Sequence, residues 1–136
     1  MAEAETGSAG AAPSGERVAL LVDSDQEARA AFGRLCVEFG LEVRELANPL
    51  DIFGELGNEV ALVVLASEAP SALLSCSQIK NEPTLRDIPV VLVSGRRAEP
   101  ALIRHWFGES RADLYLSRPV DEGAVAPLLH PLLGQT

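Results

Sequence analysis

Five short runs of apolar residues, each closed by small or polar residues, set the rhythm of the chain. Residues 18–22, 60–65 and 89–93 are almost unbroken and rich in branched side chains, as strands covered on both faces are. Residues 41–46 alternate apolar and charged positions, which predicts a strand nearer the sheet edge, and 112–116 reads as a short fifth strand. Between the strands the spacing changes. Over 26–39 the apolar positions Ala28, Ala31, Phe32, Leu35, Cys36 and Phe39 recur at three and four, with Asp25 as the N-cap and Gly40 as the stop. A helix over 48–56 opens on Asn48-Pro49 and closes on Gly57-Asn58. Further helices are predicted over 71–81, ending before Pro83, over 100–107 and over 121–133, where Pro127 and Pro131 leave the end open.

Five strands alternating with five helices, joined by short connections, predict an α/β fold. The expected form is a flavodoxin-like, doubly wound (βα)5 sandwich with a parallel sheet in the order 2-1-3-4-5. Residues 1–15 are mostly Ala, Gly, Ser, Pro and Glu with little to bury, so a disordered tail is expected there and one domain over 16–136. In such a sheet the chemistry lies beyond the carboxyl ends of the strands. The central run, Val60 onward, breaks at Ala66-Ser67-Glu68 before Pro70, and what stands first at that end is an alanine.

Composition narrows the function classes. A hydrophobic fraction of 47% with only 4% aromatic residues describes a core of Val, Leu, Ile and Ala. The net charge of −9 over 136 residues argues against nucleic acid and anionic membrane surfaces as partners. The charge is uneven: residues 1–86 hold 6 Lys and Arg against 14 Asp and Glu, whereas 87–136 hold 5 against 6. The nearly neutral, arginine-bearing C-terminal part is the better partner surface, although a merely solvated face fits the charge equally well. Cys36 and Cys76 have no metal spacing and read as reduced core thiols of a cytoplasmic protein. No metal or cofactor is expected, and a flavin or nucleotide binder lacks its glycine-rich phosphate loop. His105 is expected on the surface, and His130 carries no assigned role.

The predicted topology lines up Asp23, Ser24 and Asp25; Ala66, Ser67 and Glu68; Ser94; and Ser117, Arg118 and Pro119 along one sheet edge. From Arg17 to about Leu133 this pattern resembles the response-regulator receiver domain, the phosphorylatable module of two-component signalling. In that family an acidic pair after the first strand and an aspartate after the third hold Mg²⁺. The third-strand aspartate accepts phosphate, a Ser or Thr follows strand four, and a Lys-Pro follows strand five. The resemblance maps these positions onto Asp23-Ser24, Ala66, Ser94 and Arg118-Pro119. Arg29, Tyr115 and Pro70 stand at the family's usual offsets.

The departures fall on the chemistry. Ala66 has no oxygen to accept a phosphoryl group, Ser24 replaces a metal ligand, and Arg118 replaces the lysine. The resemblance therefore implies a non-enzymatic pseudo-receiver, a phosphorylation-independent protein-interaction module in bacterial signal transduction. The alternative is an active receiver phosphorylated at Ser67 with residual metal binding. Arg118 is expected to pair with Asp23, putting a guanidinium where a metal charge would lie. The family's output and dimer face would here include Arg97, Arg104, Trp106, Arg111 and Tyr115, a surface for a protein partner or a second copy. Trp106 fits the core equally well.

Overall fold

In the computed structural model, described for residues 17–69, 71–95, 100–106 and 108–133, the chain alternates strand and helix throughout. The strands are β1 (Arg17–Val22), β2 (Leu41–Glu45), β3 (Val60–Ala66), β4 (Val90–Ser94) and β5 (Leu114–Ser117). The α-helices are α1 (Gln26–Glu38), α2 (Ala72–Asn81), α3 (Pro100–Trp106) and α4 (Glu122–Leu132). All pairings are parallel and the sheet order is β2-β1-β3-β4-β5, the flavodoxin-like order expected from the sequence.

Side-chain alternation along the strands divides the core in two. Val18, Leu20, Val63, Leu65 and Leu92 face α2 and α3 with Ile52, Cys76, Ile79 and Leu102. Ala19, Leu21, Leu62, Val64 and Val91 face the other way, against Phe32, Leu35, Val125 and Leu129 of α1 and α4. Every residue of β3 and β4 is buried, as strands covered on both faces must be, whereas β2 at the edge is mixed.

One helical expectation changes. The segment after β2 is a 3-10 helix, Pro49–Gly54, not an α-helix to Leu56. Asn48 Oδ1 caps it at Leu50 N–H, Pro49 and Ile52 are its only buried residues, and six residues of tight i→i+3 winding suffice to seat them. The last helix runs through both Pro127 and Pro131, which lie on its exposed side, while Val125 and Leu129 bury on the sheet. Asp25 caps α1 through Ala28 N–H at 2.9 Å, and Gly40 ends that helix with φ +77°, a conformation that favours glycine. The expected tail 1–15 lies outside the described residues, as does Pro70.

Candidate functional site: an acidic pocket closed by arginine

Parallel register sets the strand ends side by side: Val22 opposite Leu65, Ala66 opposite Val93, Ser94 opposite Ser117. Whatever follows each strand therefore converges. Asp23 is 5% exposed as a residue and its side chain has no exposure at all. Asp23 Oδ1 accepts from Asp25 N–H at 2.9 Å and from Arg118 Nη2 at 2.8 Å, which makes the expected pair. Arg118 also donates from Nη1 to Glu68 Oε2 at 2.7 Å and from Nη2 to Glu68 Oε1 at 3.3 Å. Its Nε stands 3.7 Å from Asp25 Oδ2.

One guanidinium thus ties together the loops after β1 and β3 from the end of β5. Burial opposes the charge on Arg118, but the hydrogen bonds and charges of Glu68 and Asp23 outweigh it and hold its pKa above the ordinary arginine value. Two atoms of the cluster, Asp23 Oδ2 and Arg118 Nε, are buried without a hydrogen-bond partner.

Ala66 closes β3, 4% exposed, and presents a methyl group where the resemblance puts the phosphoacceptor. Ser67 donates its backbone N–H to Val93 O, and Ser24 is exposed. The Ser94 hydroxyl is directed to the Gly95 and Leu116 carbonyls at 3.2 and 3.3 Å. Arg29, from α1, donates to the Asp23 carbonyl at 3.3 Å.

The Mg²⁺ that the resemblance implies does not fit these residues. Mg²⁺ asks for hard oxygen donors at octahedral positions, and of the three acids expected only Asp23 is present. One oxygen of Asp23 is committed to Arg118. A dication about 4 Å from that guanidinium would meet a repulsion on the order of 8 kcal/mol at an effective dielectric constant of about 20. Among the described residues no group of three or more His, Cys, Asp or Glu is arranged to hold a metal ion.

The second candidate surface lies on α3 and β5. Arg104 and Arg111 are exposed there, with Ile103 at 43% exposure beside them. Tyr115 is half-buried: its hydroxyl accepts from Ala112 N–H at 2.9 Å and lies 2.7 Å from His105 Nδ1. His105 Nε2 is 3.1 Å from Ser77 Oγ on α2, so His105 is an internal link, not the surface residue expected. The two rings meet edge to face. Because the Tyr115 oxygen already accepts from Ala112, a hydroxyl proton donated to Nδ1 and an Nε2–H donated to Ser77 satisfy the chain with a neutral imidazole. Burial lowers the His105 pKa in the same sense. Arg97 and the side chain of Trp106 lie outside the described residues.

The sequence sets Glu68 on the pocket's edge without marking it as a partner of Arg118. An acid two residues past Ala66 in a chain that exchanges lysine for arginine was the available signal. The His105–Tyr115–Ser77 chain joins three elements and has no counterpart in local spacing.

No family model matches the chain, and no curated protein matches it in sequence. Solved structures do match. A response-regulator receiver domain protein from Clostridium thermocellum superposes with a TM-score of 0.69 at 18% identity, over 88% of this chain and 95% of that one. The signal receiver domain of a histidine kinase from Syntrophus aciditrophicus gives 0.69 at 22% identity, over 88% and 94%. The chain has the receiver fold. A two-component response regulator from Clostridium difficile gives 0.69 at 19% identity, over 88% and 98%, so the likeness spans nearly the whole of each neighbour. At these identities the likeness is one of fold. Among the described residues no helix is long and apolar enough to cross a membrane.

Proposed function

We propose that the domain is a phosphorylation-independent pseudo-receiver, a non-enzymatic protein-interaction module of bacterial two-component signalling. The observation that carries this reading is Ala66: the end of the central strand offers a buried methyl group where an acyl phosphate would need a carboxylate oxygen. Arg118 supports it, since its guanidinium already compensates the acids around that position. The solved receivers lend the setting, two-component signal transduction.

The docking surface is the α3–β5 face, where exposed Arg104, Arg111 and Ile103 offer cations and apolar area together. Neither arginine forms a salt bridge among the described residues, which suits an acidic protein partner. Tyr115 stiffens this face from beneath through His105.

Incubation with acetyl phosphate and Mg²⁺ followed by intact-mass analysis tests the reading. The expected result is no phosphoryl adduct. A stoichiometric adduct mapped to Ser67 would replace it with an active receiver using a displaced acceptor.

A further inference from the structure

The strand-end pocket gathers acids, and a cation is already seated among them. Asp23 contributes a carboxylate with no solvent exposure, and Arg118, whose side chain is 17% exposed, is the one cation within 4 Å of it among the described residues. Buried carboxylates stay ionised only when a counter-charge and hydrogen bonds replace water. Here the counter-charge and one hydrogen bond come from Arg118, and a second hydrogen bond from Asp25 N–H.

We propose that the Arg118 guanidinium is the resident cation of this pocket, holding the strand-end loops together without a metal ion, and that removing its charge opens the pocket to a divalent cation. The chemistry of the two cations differs in permanence. A guanidinium presents five donors in a fixed planar fork and is covalently part of β5's end, whereas a bound dication exchanges with solvent. Arg118 uses that fork on Asp23 and Glu68 while facing Asp25, so the loops after β1 and β3 are fixed in every molecule at every metal concentration.

The pocket nevertheless keeps unbalanced negative charge and one unused oxygen donor. Three carboxylates face one guanidinium, leaving an excess of negative charge. Asp23 Oδ2 is buried and unpartnered, an oxygen donor without a partner inside the cluster. A cleft of about 390 Å³, lined by Asp23, Ser24, Arg29, Glu45, Leu46 and Ala47, adjoins the same loop. With the guanidinium gone, Asp23 Oδ2 and the Glu68 carboxylate are available, while Asp23 Oδ1 still accepts from Asp25 N–H and Asp25 Oδ2 from Ala28 N–H. Mg²⁺, which retains several waters, needs only one or two carboxylates.

This inference rests on the pocket's being retired from phosphotransfer, and the two fail separately: a phosphoryl adduct on the natural chain overturns that reading, while metal behaviour overturns this one. The test is thermal unfolding, followed by circular dichroism in EDTA or Mg²⁺, of the natural chain, Arg118→Ala and Arg118→Gln. Arg118→Gln keeps an amide hydrogen-bond donor on a shorter side chain while removing the charge, which guards against an alanine variant that does not fold. The natural chain is expected to melt at the same temperature in both solutions. Arg118→Gln is expected to gain about 5 °C at a tenfold excess of Mg²⁺ over its Kd. Mn²⁺ is expected to broaden the amide signals of Asp23, Ser24 and Ser67 first, and only in the variants. A Mg²⁺ shift in the natural chain, or a folded Arg118→Gln with neither stabilisation nor local broadening, overturns the proposal.

Discussion

Arg118→Ala measures how far the pocket depends on its guanidinium. Removing one partner of a fully buried ion pair costs about 3–5 kcal/mol, because the remaining charge stays buried without compensation. Asp23 meets that condition, with no side-chain exposure, but Arg118 is 17% exposed and Glu68 54% exposed, so water can enter from their side. The Glu68 contacts by themselves belong to the surface class worth at most about 1 kcal/mol. Discounting accordingly, Arg118→Ala should cost about 2–3 kcal/mol and Glu68→Ala under about 1 kcal/mol. For a domain of this size that is a fall of roughly 10 °C in Tm. The raised pKa of Arg118 means its contribution is complete below the unfolded arginine value and is lost only as pH rises through the higher folded one. Neutral pH therefore reads it in full. Urea unfolding in EDTA, with the double variant Asp23→Asn, Arg118→Ala to close the cycle, gives the coupling. A loss below about 0.5 kcal/mol would show that the pair is solvated and that Asp23 does not depend on Arg118.

Three further outcomes are expected. His105 has its pKa lowered from the ordinary 6.5, chiefly by burial, so the folded state favours the neutral imidazole. Its contribution is present above the unfolded value and lost as pH falls through the folded one; urea midpoints should decline on acidification below about pH 6.5, less steeply in His105→Gln, and parallel profiles would contradict this. Burial pushes the Cys36 and Cys76 thiols up to about 11 and about 12, so neither should react with a thiol reagent in the folded protein at neutral pH, whereas rapid modification without unfolding would overturn the core placement. Ala66→Asp restores the carboxylate but leaves Arg118 in place, so acetyl phosphate with Mg²⁺ should still leave no phosphoryl adduct; an adduct at residue 66 would mean that the guanidinium is no barrier.

The sheet was legible because its strands are nearly pure apolar runs cut by Gly, Pro, Ser and Asp, a pattern that few other arrangements satisfy. Boundaries slipped where polar contacts decide them. The fifth strand was expected over 112–116 but begins at Leu114, because Ala112 N–H is bonded by the Tyr115 hydroxyl and Asp113 accepts from Val90 N–H and from Lys80. The 3-10 helix was missed as such because Asn48-Pro49 signals a helical start without saying how tightly the next turn winds. In the pocket, Asp23 and Arg118 were legible as opposite charges at neighbouring strand ends, and the structure sets them 2.8 Å apart. Glu68 was half legible, since its loop was known but not the direction of its side chain. The His105–Tyr115–Ser77 chain was not legible, because its members are neighbours only after α2, α3 and β5 pack.

Whether the receiver fold's pocket takes a phosphoryl group is read by an NMR titration of the labelled natural chain. Mg²⁺ is added first and beryllofluoride, a phosphoryl mimic, second, while the amides of Asp23, Ala66, Ser67 and Ser94 are followed. No saturable shift is expected at any of the four. Saturable shifts centred on Ser67 and spreading to Ser94 would contradict it and establish a working acceptor one residue beyond Ala66.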